Sequence, residues 1–270
     1  MTKSNQTYPT DINDTEWAQI APSLPEPNAM GRPREICWRA ILNAIFYIVK
    51  NGCVWRALPH DFPAWQTVYY YFRLFQKTLL WEQLNTVIRE RVRVKEGHAP
   101  QASAMIIDSQ SVKSAEGGEN IGFDGGKLVK GRKRNLITDT LGLLVLAQVT
   151  AANVQDVHAG KQTLTALKEK PELRTRLQKI FADGGYRGEL LDWVKNELQA
   201  DMEIVLKPKD QKGFQVLPKR WPIERTNAWV YRNRRMARDY ERLPAVSEAF
   251  IYILMIRLGL RRLANTRSTY

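Results

Sequence analysis

Ala104-Met-Ile-Ile-Asp108-Ser109 is a run of apolar residues closed by a carboxylate. Such a run reads as a buried strand whose last side chain reaches the rim of a sheet. Lys179-Ile-Phe-Ala-Asp183-Gly-Gly185 repeats the pattern. Around these two runs, short β-type segments alternate with helical ones, which is the signature of a mixed α/β domain. Strands are expected at about 104–108, 134–139, 143–150, 179–183 and 202–206, and helices at about 157–168, 187–198, 222–239 and 245–263. Asp139-Thr-Leu-Gly142 joins two of the strands as a hairpin, so the sheet should be mixed rather than purely parallel. A third acid, Glu224, opens a basic helix instead of closing a strand. The stretch from Asp183 to Glu224 holds one helix, one strand and a crossing segment, so the three acids can converge without an intervening domain.

Gly97-His-Ala-Pro-Gln-Ala-Ser103 marks a boundary, giving a helical part over 1–98 and an α/β part over 99–270. In the first part a short amphipathic helix covers Asp11 to Leu24, and Gly31-Arg-Pro-Arg34 is a basic turn. From Glu35 to Asn51 the residues Ile41, Ala44, Ile45, Ile48 and Val49 recur at helical spacing, and Gly52 stands where a left-handed cap is expected. One helical turn at Val54–Pro59 and helices at Ala64–Thr78 and Trp81–Val94 follow. Helix, turn and helix in this order resemble a DNA-reading unit. The same pattern also suits a plain bundle with Tyr69, Phe72 and Phe75 in its core.

Lys and Arg outnumber Asp and Glu by 41 to 28 in 270 residues, a net charge of +13, which points to a partner carrying phosphates. No stretch approaches the ~20 uninterrupted apolar residues of a membrane span, and the first thirty residues hold no signal-peptide core, so a cytoplasmic location is expected. Cys37, Cys53, His60, His98 and His158 show no zinc spacing, which leaves oxygen ligands for any metal.

The basic excess is concentrated. Residues 115–131 carry six of the 16 glycines and run into Lys127-Leu-Val-Lys-Gly-Arg-Lys-Arg134, which has five positive charges and reads as a flexible loop beside the acids. Lys207 to Arg242 contributes a net +7. Along the expected helix Glu224, Ala228, Tyr231, Arg235 and Arg238 share a face, so an acid and two arginines would look toward one substrate. Phosphodiester cleavage needs an in-line nucleophile and neutralisation of charge on phosphate, and two Mg²⁺ ions held by carboxylates supply both. Taken singly, Asp108 and Asp183 also read as turn residues and Glu224 as a first-turn helix acid. Asp139 and Asp156 are spare acids near the sheet rim.

Ile107-Asp-Ser-Gln-Ser-Val-Lys113, Gly122-Phe-Asp-Gly-Gly-Lys127 with Lys130-Gly-Arg-Lys-Arg134, Ala182-Asp-Gly-Gly-Tyr-Arg-Gly188 and Arg220-Trp-Pro-Ile-Glu-Arg-Thr-Asn-Ala-Trp229 together resemble the DDE transposases of bacterial insertion sequences, in the insertion sequence family five group. The helical front end, from Gly31 through Asn51-Gly-Cys-Val-Trp-Arg-Ala-Leu-Pro59 to Phe72, is similar to that group's N-terminal domain. The resemblance implies a ribonuclease H-like catalytic domain with Asp108, Asp183 and Glu224 as catalytic metal ligands. It implies Mg²⁺, two ions when DNA is bound, with Mn²⁺ able to substitute. It further implies hydrolysis at the ends of a DNA element, transfer of the freed 3′-OH to target DNA, and a dimer or larger assembly. Arg220 stands four residues before Glu224 as the family pattern has it, whereas Leu217 and Tyr231 replace a usual Tyr and Lys. Lys113, Lys127, Lys130, Arg132, Lys133, Arg134, Arg220, Arg225 and Arg235 are the candidates for holding double-stranded DNA. Two other readings remain: a tyrosine recombinase built on His158, Lys161 and Tyr240, and a non-catalytic DNA-binding regulator.

Overall fold

Asn13 opens the first helix through a capping box: its Oδ1 accepts from Glu16 N at 2.8 Å, and the Glu16 carboxylate accepts from Asn13 N at 3.0 Å. The computed structural model describes residues 8–26, 37–115, 117–206 and 217–265. The basic turn Gly31-Arg-Pro-Arg34, the expected helix start at Glu35 and the tract from Lys207 to 216 lie outside the described residues. The helical part comprises α1 (Asp14–Ile20), α2 (Trp38–Asn51), α3 (Trp65–Lys77) and α4 (Leu80–Lys95). Gly52 ends α2 in the left-handed region, φ 75°, with its N–H on the Ile48 carbonyl.

The sheet is built around β1 (Ala104–Lys113). Short β2 (Gly122–Asp124) pairs with the start of β3 (Val129–Asp139), and β3 runs antiparallel to β1 with Leu136 opposite Asp108. β4 (Leu144–Ala151) pairs antiparallel with β3 after the turn at 140–143. On the other side of β1, β5 (Lys179–Ala182) and β6 (Asp201–Ile204) continue the sheet in parallel. The mixed sheet expected from the sequence is therefore present. Between β4 and β5 lies α5 (Asp156–Lys168), and α6 (Leu190–Leu198) separates β5 from β6. Then come α7 (Trp221–Tyr231) and α8 (Pro244–Leu263).

Alternation along the strands divides the interior. Met105, Ile107, Ile137 and Ile180 point to the face covered by α5 and α6. Ile106, Leu136, Ala147 and Val149 point to the opposite face, where they join α8 and the helices of the N-terminal part in one apolar core. α8 is the centre of that core, with Phe250 to Ile256 buried without a break. It lies so close to α4 that a side-chain carbon on Gly259 would stand 2.3 Å from Ile88 Cγ2. Phe72 and Phe75 are buried as the bundle reading requires, while Tyr69 is 39% exposed. Among the described residues, no helix is long and apolar enough to cross a membrane.

Three local expectations are corrected. β1 does not stop at Asp108 but continues to Lys113, because β3 begins early enough to pair Gly131 with Lys113. Asp108 is open on its other flank, where the pairing with β5 ends at Ile106 and Phe181. The basic segment 127–134 is not a loop: from Val129 onward it is β3, with β2 an unanticipated partner. The helix expected over 222–239 ends at Tyr231. Asn233 stops it by donating Nδ2 to the Trp229 carbonyl at 2.9 Å, the acceptor that the next helical N–H would have used.

Candidate functional site

Strand lengths place the first two acids. Asp108 projects from β1 on the α7 face, beyond the last pair with β5, and Asp183 follows the last residue of β5. Asp183 is fixed by the turn it opens, its Oδ1 accepting from Gly185 N at 2.8 Å. Pro222 in the first turn of α7 starts the helix that carries Glu224.

One guanidinium links two of the acids: Arg220 NH2 lies 3.6 Å from Asp183 Oδ2 and 3.8 Å from Glu224 Oε1. Asn227, one turn after Glu224, donates Nδ2 to Asp108 Oδ2 at 2.9 Å. Thus α7 and Arg220, the residue that precedes it, reach all three acids: Glu224 is on the helix, Asn227 meets Asp108 and Arg220 meets Asp183. Burial pushes the Asp108 carboxyl up to about 6; Arg220 acts against this rise, and the charge of Asp183 adds to it. Lys127 also faces this site, its Nζ 3.4 Å from the Ser109 carbonyl.

Behind the acids, Asp156 at the start of α5 accepts from Ser109 Oγ and from Lys133 Nζ, each at 2.8 Å. A side-chain carbon on Gly185 would meet Asp183 Oδ1 at 3.0 Å and Asp156 Oδ2 at 3.1 Å, so these carboxylates flank one glycine. Asp139, the other spare acid, serves a different purpose. It pairs with Arg93 at 2.7 Å and accepts from Leu141 N and Leu143 N, which pins the β3–β4 turn.

Several expected DNA contacts are redirected inward. Arg132 is fully buried, donating to the carbonyls of Glu119, Glu241 and Arg242 and pairing with Asp239 at 3.2 Å. Arg134 is also fully buried and donates to the Met236 carbonyl at 2.9 Å; burial pulls its guanidinium down to about 10. Lys133 is spent on Asp156 and the Val154 carbonyl. Arg235 lies buried over the Phe250 ring and pairs with Glu241 at 2.7 Å, since the chain has left the helix before reaching it. Arg225 turns to the Leu141 carbonyl and stacks on Trp229. Both faces of β3 are covered from Gly131 onward, which buries Arg132, Lys133 and Arg134 alike, and the early end of α7 takes Arg235 off the helix. Lys113, Lys127 and Lys130 are exposed, and Arg220 is at the acids.

The tyrosine-recombinase grouping is not assembled. His158 and Lys161 line one depression with Gln148, and Tyr240 lines another groove with Trp65. Asn227 was missed by sequence reading although its three-residue spacing from Glu224 puts both on one helical face. Ser109 and Lys133 carried no comparable signal, because their meeting with Asp156 depends on the pairing of β1 with β3.

The donor set around Arg220 is all oxygen, as hard divalent cations require. Among the described residues, no three acid, imidazole or thiolate groups stand close enough to hold a metal ion as they are. Arg220 instead places positive charge between two of the carboxylates.

Comparison with known proteins gives two family models. One, described as "Transposase DDE domain", matches residues 99–258. The other, described as "Putative transposase of IS4/5 family", matches residues 12–85. A protein of Burkholderia cepacia named "Putative transposase for insertion sequence element IS402" is 29% identical over 128 residues, which cover 45% of this chain and 59% of that relative. This chain therefore spans about three-fifths of that relative's length. A second protein of the same organism, "Insertion element IS402 uncharacterized 16.2 kDa protein", is 27% identical over 121 residues, or 41% of this chain and 78% of the relative.

Proposed function

The chain belongs to the transposase DDE domain family, and on that premise we propose that it cleaves the ends of a DNA element and joins the freed 3′-OH to target DNA. The observation that carries this reading is the convergence of Asp108, Asp183 and Glu224 on Arg220 and Asn227. Asp108, Asp183 and Glu224 would hold divalent cations, Mg²⁺ or Mn²⁺, and two such ions bound with DNA supply an activated oxygen and neutralisation of phosphate charge.

The chain's own residues do the rest. Asn227 orients Asp108 by donating to Oδ2. Arg220 bridges Asp183 and Glu224, offsetting their mutual repulsion, and offers a donor to a phosphate oxygen when a cation takes over the charge pairing. Lys127, Lys113 and Lys130 extend this positive edge along the exposed start of β3 and end of β1, where they hold the duplex backbone. The strand order, an antiparallel β1–β3–β4 unit continued by parallel β5 and β6, supports a ribonuclease H-like domain over 99–270. The helical part, 1–98, supplies DNA reading, and paired cutting of two ends calls for a homodimer or larger assembly in the cytoplasm.

The test is strand cleavage of DNA carrying the gene's own flanks, by wild type and Asp183→Asn, with Mg²⁺ and with EDTA. Cutting by wild type with Mg²⁺, abolished by EDTA and reduced by at least ~10³-fold in Asp183→Asn, is the expected result. Cutting that survives EDTA or Asp183→Asn would overturn the assignment.

A further inference from the structure

A groove lies between the helical part and the segment after α7, with a volume of about 670 Å³, well inside the ~300–1,000 Å³ range of ligand pockets. Its walls carry four aromatic rings: Trp55 and Trp65 on one side, Tyr69 on α3, and Tyr240 on the other side. Tyr69 and Tyr240 are 39% and 48% exposed, so both rings are open to water along the groove. The charge lining is basic, with Arg56, Arg73, Arg235 and Arg242 set against Glu119 and Glu241. Arg235 and Glu241 neutralise each other, whereas Arg56, Arg73 and Arg242 have no acidic partner among the described residues. Arg56 lies over the Trp65 ring at 5.7 Å, a flat cation on a flat ring.

The groove is built, not incidental. Arg132, drawn into the interior as described, gathers the Glu119, Glu241 and Arg242 carbonyls and so fixes the wall that bears Tyr240. Gly118 leaves room for this clasp, since a side-chain carbon there would stand 2.9 Å from the Arg132 guanidinium. The wall is tied to the catalytic strand as well: Asp239 N donates to the Lys113 carbonyl at 2.9 Å. Along β1, Lys113 is five residues from Asp108, or roughly 17 Å at a strand rise of ~3.3 Å.

We propose that this groove holds unpaired nucleotides of the DNA, with their bases stacked on Trp65, Tyr69 and Tyr240 and their phosphates on Arg56, Arg73 and Arg242. Aromatic rings alternating with free arginines suit an unstacked base and its phosphate, whereas a closed duplex hides the base faces from any ring. The inference takes from the proposed function only that the polyanion is DNA.

Its test is equilibrium binding by the full chain in EDTA, followed by fluorescence anisotropy, so that cleavage plays no part. The probes are a labelled duplex and the same duplex with a three-nucleotide unpaired bulge. The bulged DNA is expected to bind at least about tenfold more tightly than the duplex, and Tyr240→Ala to remove that gain while duplex affinity stays within about twofold. Tyr240→Phe, which keeps the ring, restores the gain, and 5-iodouridine in the bulge crosslinks to Trp65, Tyr69 or Tyr240. Equal affinity for the two DNAs, an equal loss on both in Tyr240→Ala, or crosslinks confined to other segments would overturn the proposal. Because no cutting is measured, a failed cleavage experiment leaves these outcomes readable.

Discussion

Lys130 and Arg132 stand two positions apart in β3 and on one face of it, yet one is exposed and the other fully buried. Their replacement should separate DNA binding from stability. Lys130→Ala should leave the unfolding midpoint unchanged, weaken binding to all DNA sequences alike and reduce the slope of log affinity against log salt by about 1. Arg132→Ala strands Asp239 and three carbonyls in the interior and should cost about 3–5 kcal/mol, read by urea unfolding. A loss of affinity at one sequence only in Lys130→Ala would count against the phosphate role. Asn227→Ala frees Asp108 Oδ2 from its donor; the expected outcome is about a tenfold slower cleavage with DNA affinity retained, measured by single-turnover kinetics.

At the scale of elements, α8 seals an edge. β4 pairs on one side with β3, and on the other side the Val149 N–H donates to Glu248 Oε1 at 2.7 Å and the Ala147 N–H to Tyr252 Oη at 3.1 Å. Glu248 and Tyr252 are one helical turn apart, so α8 stands in for a missing strand. Burial pushes the Glu248 carboxyl up to about 7, with the Val149 amide acting against the rise. A raised folded pKa means that this group's contribution is present below about 4.5 and lost as pH rises through about 7. Between pH 5 and 8 wild type should therefore lose on the order of 1–2 kcal/mol that Glu248→Gln keeps, a difference visible in thermal unfolding at the two pH values. Element types were legible in the sequence where periodicity was long, as in α2 and α8, and the hairpin was legible in Asp139-Thr-Leu-Gly142. β2, the reach of β1 and the early end of α7 were not, because each is settled by a partner far along the chain or by one asparagine side chain. Asp183 was legible as the acid after a strand and Glu224 as a first-turn helix acid, whereas Asp108 lies inside β1 and not at its end; the fate of the basic run could not be read, since the same residues in a loop or a strand have opposite exposures.

For the whole molecule, the decisive fact is that the two regions matched by separate family models share one apolar core across α8. Tryptophan fluorescence, weighted by Trp17, Trp38, Trp55, Trp65 and Trp81 of the helical part, and circular dichroism should follow a single urea transition. Two separated transitions would show that the regions fold independently. Placing α8 so late in the chain has a further consequence during synthesis. Between Lys95, where α4 ends, and Pro244, where α8 begins, translation at ~5–20 residues per second takes roughly 7–30 s. For that interval the emerging helices display an unfinished greasy surface on the ribosome. A message cut short before α8 therefore yields a chain whose helical part lacks the buried run Phe250 to Ile256 that completes its core.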